Sequence, residues 1–232
     1  MGEPASLGDA HFWIGCLAVV SGYTAFAAAK GRRAHRIAGK VFVIGMLLLT
    51  ASGLWLSIAR GVLFTVFLSA IAFHAVATGW AAACLGRRLG GVLTRTAPVL
   101  SGGIALGAVY GGMLAAAAPT GMLNGLPPGA FYLVAGVGGV VCVLDVLFAF
   151  ANRPSQQRRI TRHLWRMGFS FFLATGIFFF GNNHVLPAAL RTPPLLSVPV
   201  LAVVLWTLVY AVRTRFASPP HECFAQMSVS PK

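Results

Sequence analysis

The stretch "QQRRITRHLWRMGFSFFLATGIFFFGNNH", residues 156–184, sets four arginines and a histidine ahead of an aromatic-rich apolar run and closes on a second histidine. About 20 apolar residues, at about 1.5 Å each along a helix, cross a hydrocarbon core of about 30 Å. The stretch therefore reads as a membrane span with a basic mouth. Six further apolar runs stand beside it, near 11–29, 41–59, 61–85, 97–118, 129–151 and 194–212, the run of the quoted stretch itself covering 167–186. The fold expected is an all-α integral membrane bundle of seven transmembrane helices.

Composition agrees with that reading. Of the 232 residues 57% are hydrophobic and 9% charged, with a mean hydropathy of +0.80. A soluble domain carries about 25% charged residues. The formal net charge of +14 would suggest nucleic acid in a soluble protein. Here its distribution has a different explanation: 16 of the 18 basic residues fall on one side of the seven spans, and Arg60 and Arg191 alone fall on the other. This is the positive-inside pattern, which places the N-terminus outside and the C-terminus in the cytoplasm. The partners expected are the lipid bilayer of a bacterial inner membrane and its anionic headgroups, and no nucleic acid. Arg32, Arg33, Arg36, Arg158, Arg159, Arg162 and Arg166 are the candidates for headgroup contact.

No basic residue precedes the first apolar run, so it lacks the positive region of a signal peptide and should be retained as a helix. The longest connection on the basic side is about 15 residues, too short for a soluble catalytic domain. Residues 1–216 are expected to form one transmembrane domain and 217–232 a disordered cytoplasmic tail. Cys16, Cys84, Cys142 and Cys223 are scattered without CxxC spacing, so neither a disulfide framework nor a metal site is expected. Gly103, Gly107 and Gly111 form a small-xxx-small ladder that suits close helix packing within the bundle or, as the alternative, in a homo-oligomer.

Ionisable groups inside a membrane are costly and tend to be functional. Two sit within the spans, His74 and Asp145. Ala70, His74, Thr78 and Ala81 share one helical face, as do Gly138, Cys142 and Asp145, so both groups should point into the bundle. They form a candidate proton-handling or ligand-binding pair; the alternatives are a purely structural buried pair, bonds from each to a neighbouring hydroxyl or backbone carbonyl, or pairing of Asp145 with an arginine of the basic loops. On a helical wheel through the quoted stretch, His163, Arg166, Ser170, Ala174, Gly181 and His184 fall on one side and Trp165, Phe172 and Phe179 on the other. The aromatic side should face lipid. His163 and His184 lie 21 positions apart, about 31 Å, and belong to opposite membrane surfaces.

His11 is roughly level with His184 on the outer side, and His35 with His163 on the inner. Paired histidines at two depths could serve as axial ligands of haem b. Three function classes follow. The first is small-solute or proton-coupled transport, or an accessory subunit, built on His74 and Asp145. The second is a haem b electron-transfer protein using His11, His184, His35, His163 and His74. A purely structural or lipid-interacting subunit is the third.

The segment "HFWIGCLAVVSGYTAFAAAKGRRAHRIAGKVFVIGMLLLTASG" (11–53) resembles the N-terminal part of a family of uncharacterised bacterial multi-pass membrane proteins, a domain of unknown function. Its pattern has a histidine opening the first helix, a basic loop and then HRxxG, matched here by His11, Lys30 to Arg33, and His35, Arg36 and Gly39. "RHLWRMGFSFFLATGIFFFGN" (162–182) is similar to a recurrent segment of related membrane proteins. The resemblance implies that His11, His35 and His163 belong to a shared pattern, and it implies no activity.

Overall fold

The computed structural model describes residues 5–84, 87–151 and 155–216. The expected tail, 217–232, lies outside them. Seven long helices follow one another: α1 (Ala5–Ala27), α2 (Arg33–Ala59), α3 (Leu63–Cys84), α4 (Arg87–Ala117), α5 (Pro128–Ala149), α6 (Gln156–Gly176) and α7 (Pro193–Phe216). Each is long and apolar enough to cross a membrane, and no strand occurs among the described residues. The chain is a multi-pass membrane protein with an all-α bundle.

Helices α2, α4 and α6 begin 8 to 11 residues before the apolar runs that announce them, inside the basic segments. The reason is local. Arginine and lysine are good helix formers, so nothing in "RRAHRIAGK" or "QQRRITRHLWR" stops a helix. Ser155 caps α6, its hydroxyl accepting from the Arg158 amide at 3.3 Å. Gly31 and Gly61, with φ of +76° and +66°, make the turns before α2 and α3.

Helices α3 and α6 are central. The α1–α2 hairpin packs on one side of them and the α4–α5 hairpin on the other, with α7 against α6. The larger apolar core joins α1, α2, α3, α6 and α7 around Met46, Val76, Met167 and Phe171. Phe171 is fully buried, with its ring 4.8 Å from Tyr23, 5.3 Å from Phe26 and 5.5 Å from Phe42. Glycine makes this possible: a Cβ on Gly22 would lie 2.5 Å from the Phe171 ring. A smaller core of Ala108, Val134 and Ala135 lies between α4 and α5, capped by Phe64 and Phe67 of α3. Trp55 and Tyr132 are exposed near helix ends, where aromatic belts lie.

The glycine ladder on α4 does not act as a unit. Gly107 and Gly111 seat the rings of Phe67 and Phe131, whereas Gly103 faces open space. The closest backbone approach on this side belongs to Gly138 of α5, where a Cβ would stand 3.2 Å from the Ala105 Cα of α4.

Candidate functional site

Most hydroxyls within the spans bond back to their own helix, as Thr50 does to the Met46 carbonyl and Ser170 to that of Arg166. That is the cheapest way to satisfy a donor in lipid. The charged groups cannot do this, and four side chains instead converge on one carboxylate. Asp145, on α5, is fully buried. Arg162 and Arg166 of α6 each donate an Nη2 proton to its Oδ1, at 2.7 and 2.6 Å. His74 of α3 places Nε2 2.8 Å from Oδ2. An ionised carboxylate only accepts, so Nε2 carries the proton. The Ser101 hydroxyl of α4 lies 2.9 Å from Oδ2 and also 2.9 Å from its own Ala97 carbonyl, which compete for its single proton.

Both oxygens of the carboxylate are therefore occupied, by partners from three other helices. The Arg162 guanidinium also stacks over the Phe148 ring at 4.1 Å. Arg166 Nη2 reaches the Val141 carbonyl at 3.4 Å, while its Nη1 is buried and has no hydrogen-bond partner. With one anion facing two guanidinium groups, the cluster keeps at least one unit of positive charge inside the bundle.

His74 and Asp145 both point into the bundle, as their helical faces predict, and the structure brings them into contact. The two arginines correct the sequence reading. Arg162 and Arg166, expected at the membrane surface on lipid headgroups, are 9% and 5% exposed and turned inward. The helix begins before them, and their phase puts them on the face of Ser170 and Ala174. Their i, i+4 spacing on that face is the signal that points inward. Arg32, Arg33, Arg36 and Arg158 are exposed, as is Arg159, whose Nε donates to the Ala82 carbonyl at 2.8 Å. Ser101 was not a candidate; its only sequence signal is the small buried face it shares with Ala97 and Ala108.

Of the remaining histidines, His35, His163 and His11 each have a hydrogen-bond partner within the bundle. His35 donates Nδ1–H to the Ala25 carbonyl at 2.9 Å, and His163 donates Nδ1–H to the Gly79 carbonyl at 3.0 Å. Both bonds tie the start of one helix to the last turns of a neighbouring one, on the basic end of the bundle. His11 lies near the opposite end, with Nδ1 2.8 Å from Ser52 Oγ. Ser52 gives its own proton to the Leu48 carbonyl, so His11 is the donor. His184 is exposed in a short 3-10 turn after α6, and its carbonyl accepts from Arg191. No group of three metal-binding side chains occurs among the described residues.

A second feature lies away from the basic end. A half-open vestibule of about 430 Å³ is enclosed by α1, α2, α3 and α6. Its wall carries His11, Thr50, Ser57, Arg60, Ser69 and Asn182, and Met46, Ala72 and Ala174 lie deeper. The volume falls in the ordinary range for small-molecule sites. Part of the wall is a π-helical turn, Ile177–Gly181, that ends α6. Such turns are frequent at functional sites. Ser170 and Arg166 follow Ala174 on one face of α6, about 6 and 12 Å closer to the basic end. The vestibule and the charge cluster thus share one helix face, with the apolar core around Met167 and Phe171 beside it.

Comparisons of the chain with protein-family models, curated proteins and solved structures return no match.

Proposed function

We propose that this protein moves a small polar solute across, or binds it within, the membrane in a process coupled to protons, with His74 and Asp145 as the proton-handling pair. The observation that carries this reading is the alignment of the vestibule and the buried cluster along one face of α6. The vestibule offers hydrogen-bonding groups of both kinds to a solute. Beneath it, His74 is a titratable donor held against a carboxylate that four groups stabilise, where gain or loss of one proton changes the local field strongly. In this reading the basic end faces the cytoplasm of a bacterial inner membrane, the vestibule opens outward, and Arg32, Arg33, Arg36, Arg158 and Arg159 rest on anionic headgroups.

The test uses protons as the probe. Purified protein in liposomes carrying a trapped pH dye is placed under a potassium diffusion potential. His74→Gln keeps an N–H at the Nε2 position and removes the titration. Proton entry above that of protein-free liposomes, reduced at least about tenfold in folded His74→Gln, is the expected result. Equal entry in the variant, or none in the parent, overturns the proposal.

One observation favours a second reading. His35 and His163 both engage Nδ1 with a backbone carbonyl, so that Nε2 is the ring nitrogen left for a ligand, which is how metal-ligating imidazoles are oriented. In that reading the basic end holds haem b. An absorbance spectrum of haem-supplemented protein without a Soret band would falsify it.

A further inference from the structure

An apolar groove of about 620 Å³ parts α5 from α6 along Tyr132, Val140 and Phe169, whereas the vestibule of about 430 Å³ mixes polar with apolar groups in its wall. What the vestibule can hold depends on the sign of the field inside it. Of the helices that line it, α1 and α3 begin at this end of the bundle, and α2 and α6 finish there. Their dipoles offset one another, so side-chain charge decides. Among the described residues the wall carries one cation, Arg60, and no carboxylate. The acidic side chains are scarce throughout: Glu3 and Glu222 lie outside the described residues, and Asp9 is exposed at the start of α1. Asp145 is closed off by Arg162, Arg166 and His74.

We infer that the vestibule selects an organic monocarboxylate, with its anionic head toward Arg60 and its hydrocarbon part toward Met46. Two charges set the sign. Arg60 stands on the wall, and the buried cluster adds its surplus positive charge from below. Arg166 lies eight residues, about 12 Å, from Ala174 of the vestibule on one face of α6. A unit charge about 12 Å away, at an effective dielectric constant of about 20, changes the affinity of a monovalent ion about tenfold. A cation would meet that field with no carboxylate on the wall to offset it. The deeper wall, with Val19, Met46, Ala72 and Ala174, sets the rest of the class. An inorganic anion would lose hydration there with nothing in exchange, whereas the apolar body of an organic acid is matched. One proton moving with one monocarboxylate carries no net charge, which suits a single titrating histidine.

Three probes of one shape separate the charge classes: benzoate, benzamide and benzamidinium. Each is titrated calorimetrically into purified protein in micelles, at slightly alkaline pH and low salt, with protein-free micelles subtracted. Benzoate should bind at least about tenfold tighter than benzamide, and benzamidinium more weakly than either. Arg166→Gln, off the vestibule wall, removes the surplus charge of the cluster. It should lower the benzoate-to-benzamide ratio at least about threefold and leave benzamide unchanged. Arg60→Gln should lower the ratio too, by an amount that fades with added salt because Arg60 is exposed. Arg191→Gln, at the same end but not on the wall, should leave it unchanged. Circular dichroism establishes that each variant is folded. Equal binding of benzoate and benzamide, tighter binding of benzamidinium, no binding of any probe, or an unchanged ratio in either arginine variant that folds overturns the inference. It rests on the vestibule being the solute site of the proposed process, but binding is read here without proton flux. Benzoate binding without proton entry therefore refutes that process alone, and proton entry without charge preference refutes this inference alone.

Discussion

Replacing Asp145 with asparagine should be more damaging than replacing either arginine that binds it. Asp145 is 0% exposed and each of its arginine side chains 7%. Asparagine is nearly isosteric with aspartate, so packing changes little and the electrostatics dominate. The change leaves two adjacent guanidinium groups with no counter-charge inside the bundle. Removing one partner of a buried ion pair costs about 3–5 kcal/mol, because the other charge stays desolvated. Arg162→Gln or Arg166→Gln instead leaves one cation opposite one anion. The loss is then a charged hydrogen bond, about 1.5–3 kcal/mol, partly offset by relief of the repulsion between the two arginines. The expected order is Asp145→Asn well above either arginine variant. The combination Asp145→Asn, Arg162→Gln, Arg166→Gln should recover much of the loss, since no uncompensated charge remains. Chemical unfolding in mixed micelles, followed by near-ultraviolet circular dichroism, gives the free energies. An Asp145→Asn cost below about 1 kcal/mol, or one equal to that of Arg162→Gln, would refute the claim that one buried carboxylate neutralises this cluster.

Gly138→Ala should cost about 1–3 kcal/mol by overpacking, because the added Cβ would stand 3.1 Å from Ala105 Cβ and 3.2 Å from its Cα. By contrast Gly103→Ala meets open space and should be neutral or stabilising by up to about 1 kcal/mol, measured by the same unfolding curves. Lys30, in the loop after α1, donates to the Ala25 and Phe26 carbonyls, and burial pushes its ammonium down to about 8. Its folded-state value lies below the unfolded one, so the folded state binds fewer protons and gains stability as pH rises from about 8 toward 10.5. An amine-reactive ester near pH 8 should therefore label Lys30 rapidly, and peptide mapping should show that the fast fraction is lost in Lys30→Arg.

Seven spans are legible from the sequence because a membrane imposes one demand on every segment, a run of about 20 apolar residues, and local composition answers it. The inward turn of His74 and of Asp145 is legible too. Each lies on a small-residue face, and a charge in lipid must turn inward. Arg162 and Arg166 were assigned to the wrong environment for an equally physical reason. Positive-inside counting sorts basic residues by the side of the membrane they precede, and takes no account of where a helix begins or which way its first turns face. Their phase relative to Ser170 and Ala174 carried the information, but an arginine can turn toward headgroups or toward a buried anion with the same local sequence. Only the packing of α5 against α4, and of α6 against α3, brings Asp145 within reach and decides between those two. The same packing decides where α5 and α6 part to leave a groove, and where α1, α2, α3 and α6 leave a vestibule. By itself, then, the sequence determined how many helices cross and which faces avoid lipid, since both depend on residues near in the chain. Which buried charges meet and which spaces stay open depend on contacts between residues as distant as 74 and 145, and those exist only in the tertiary structure.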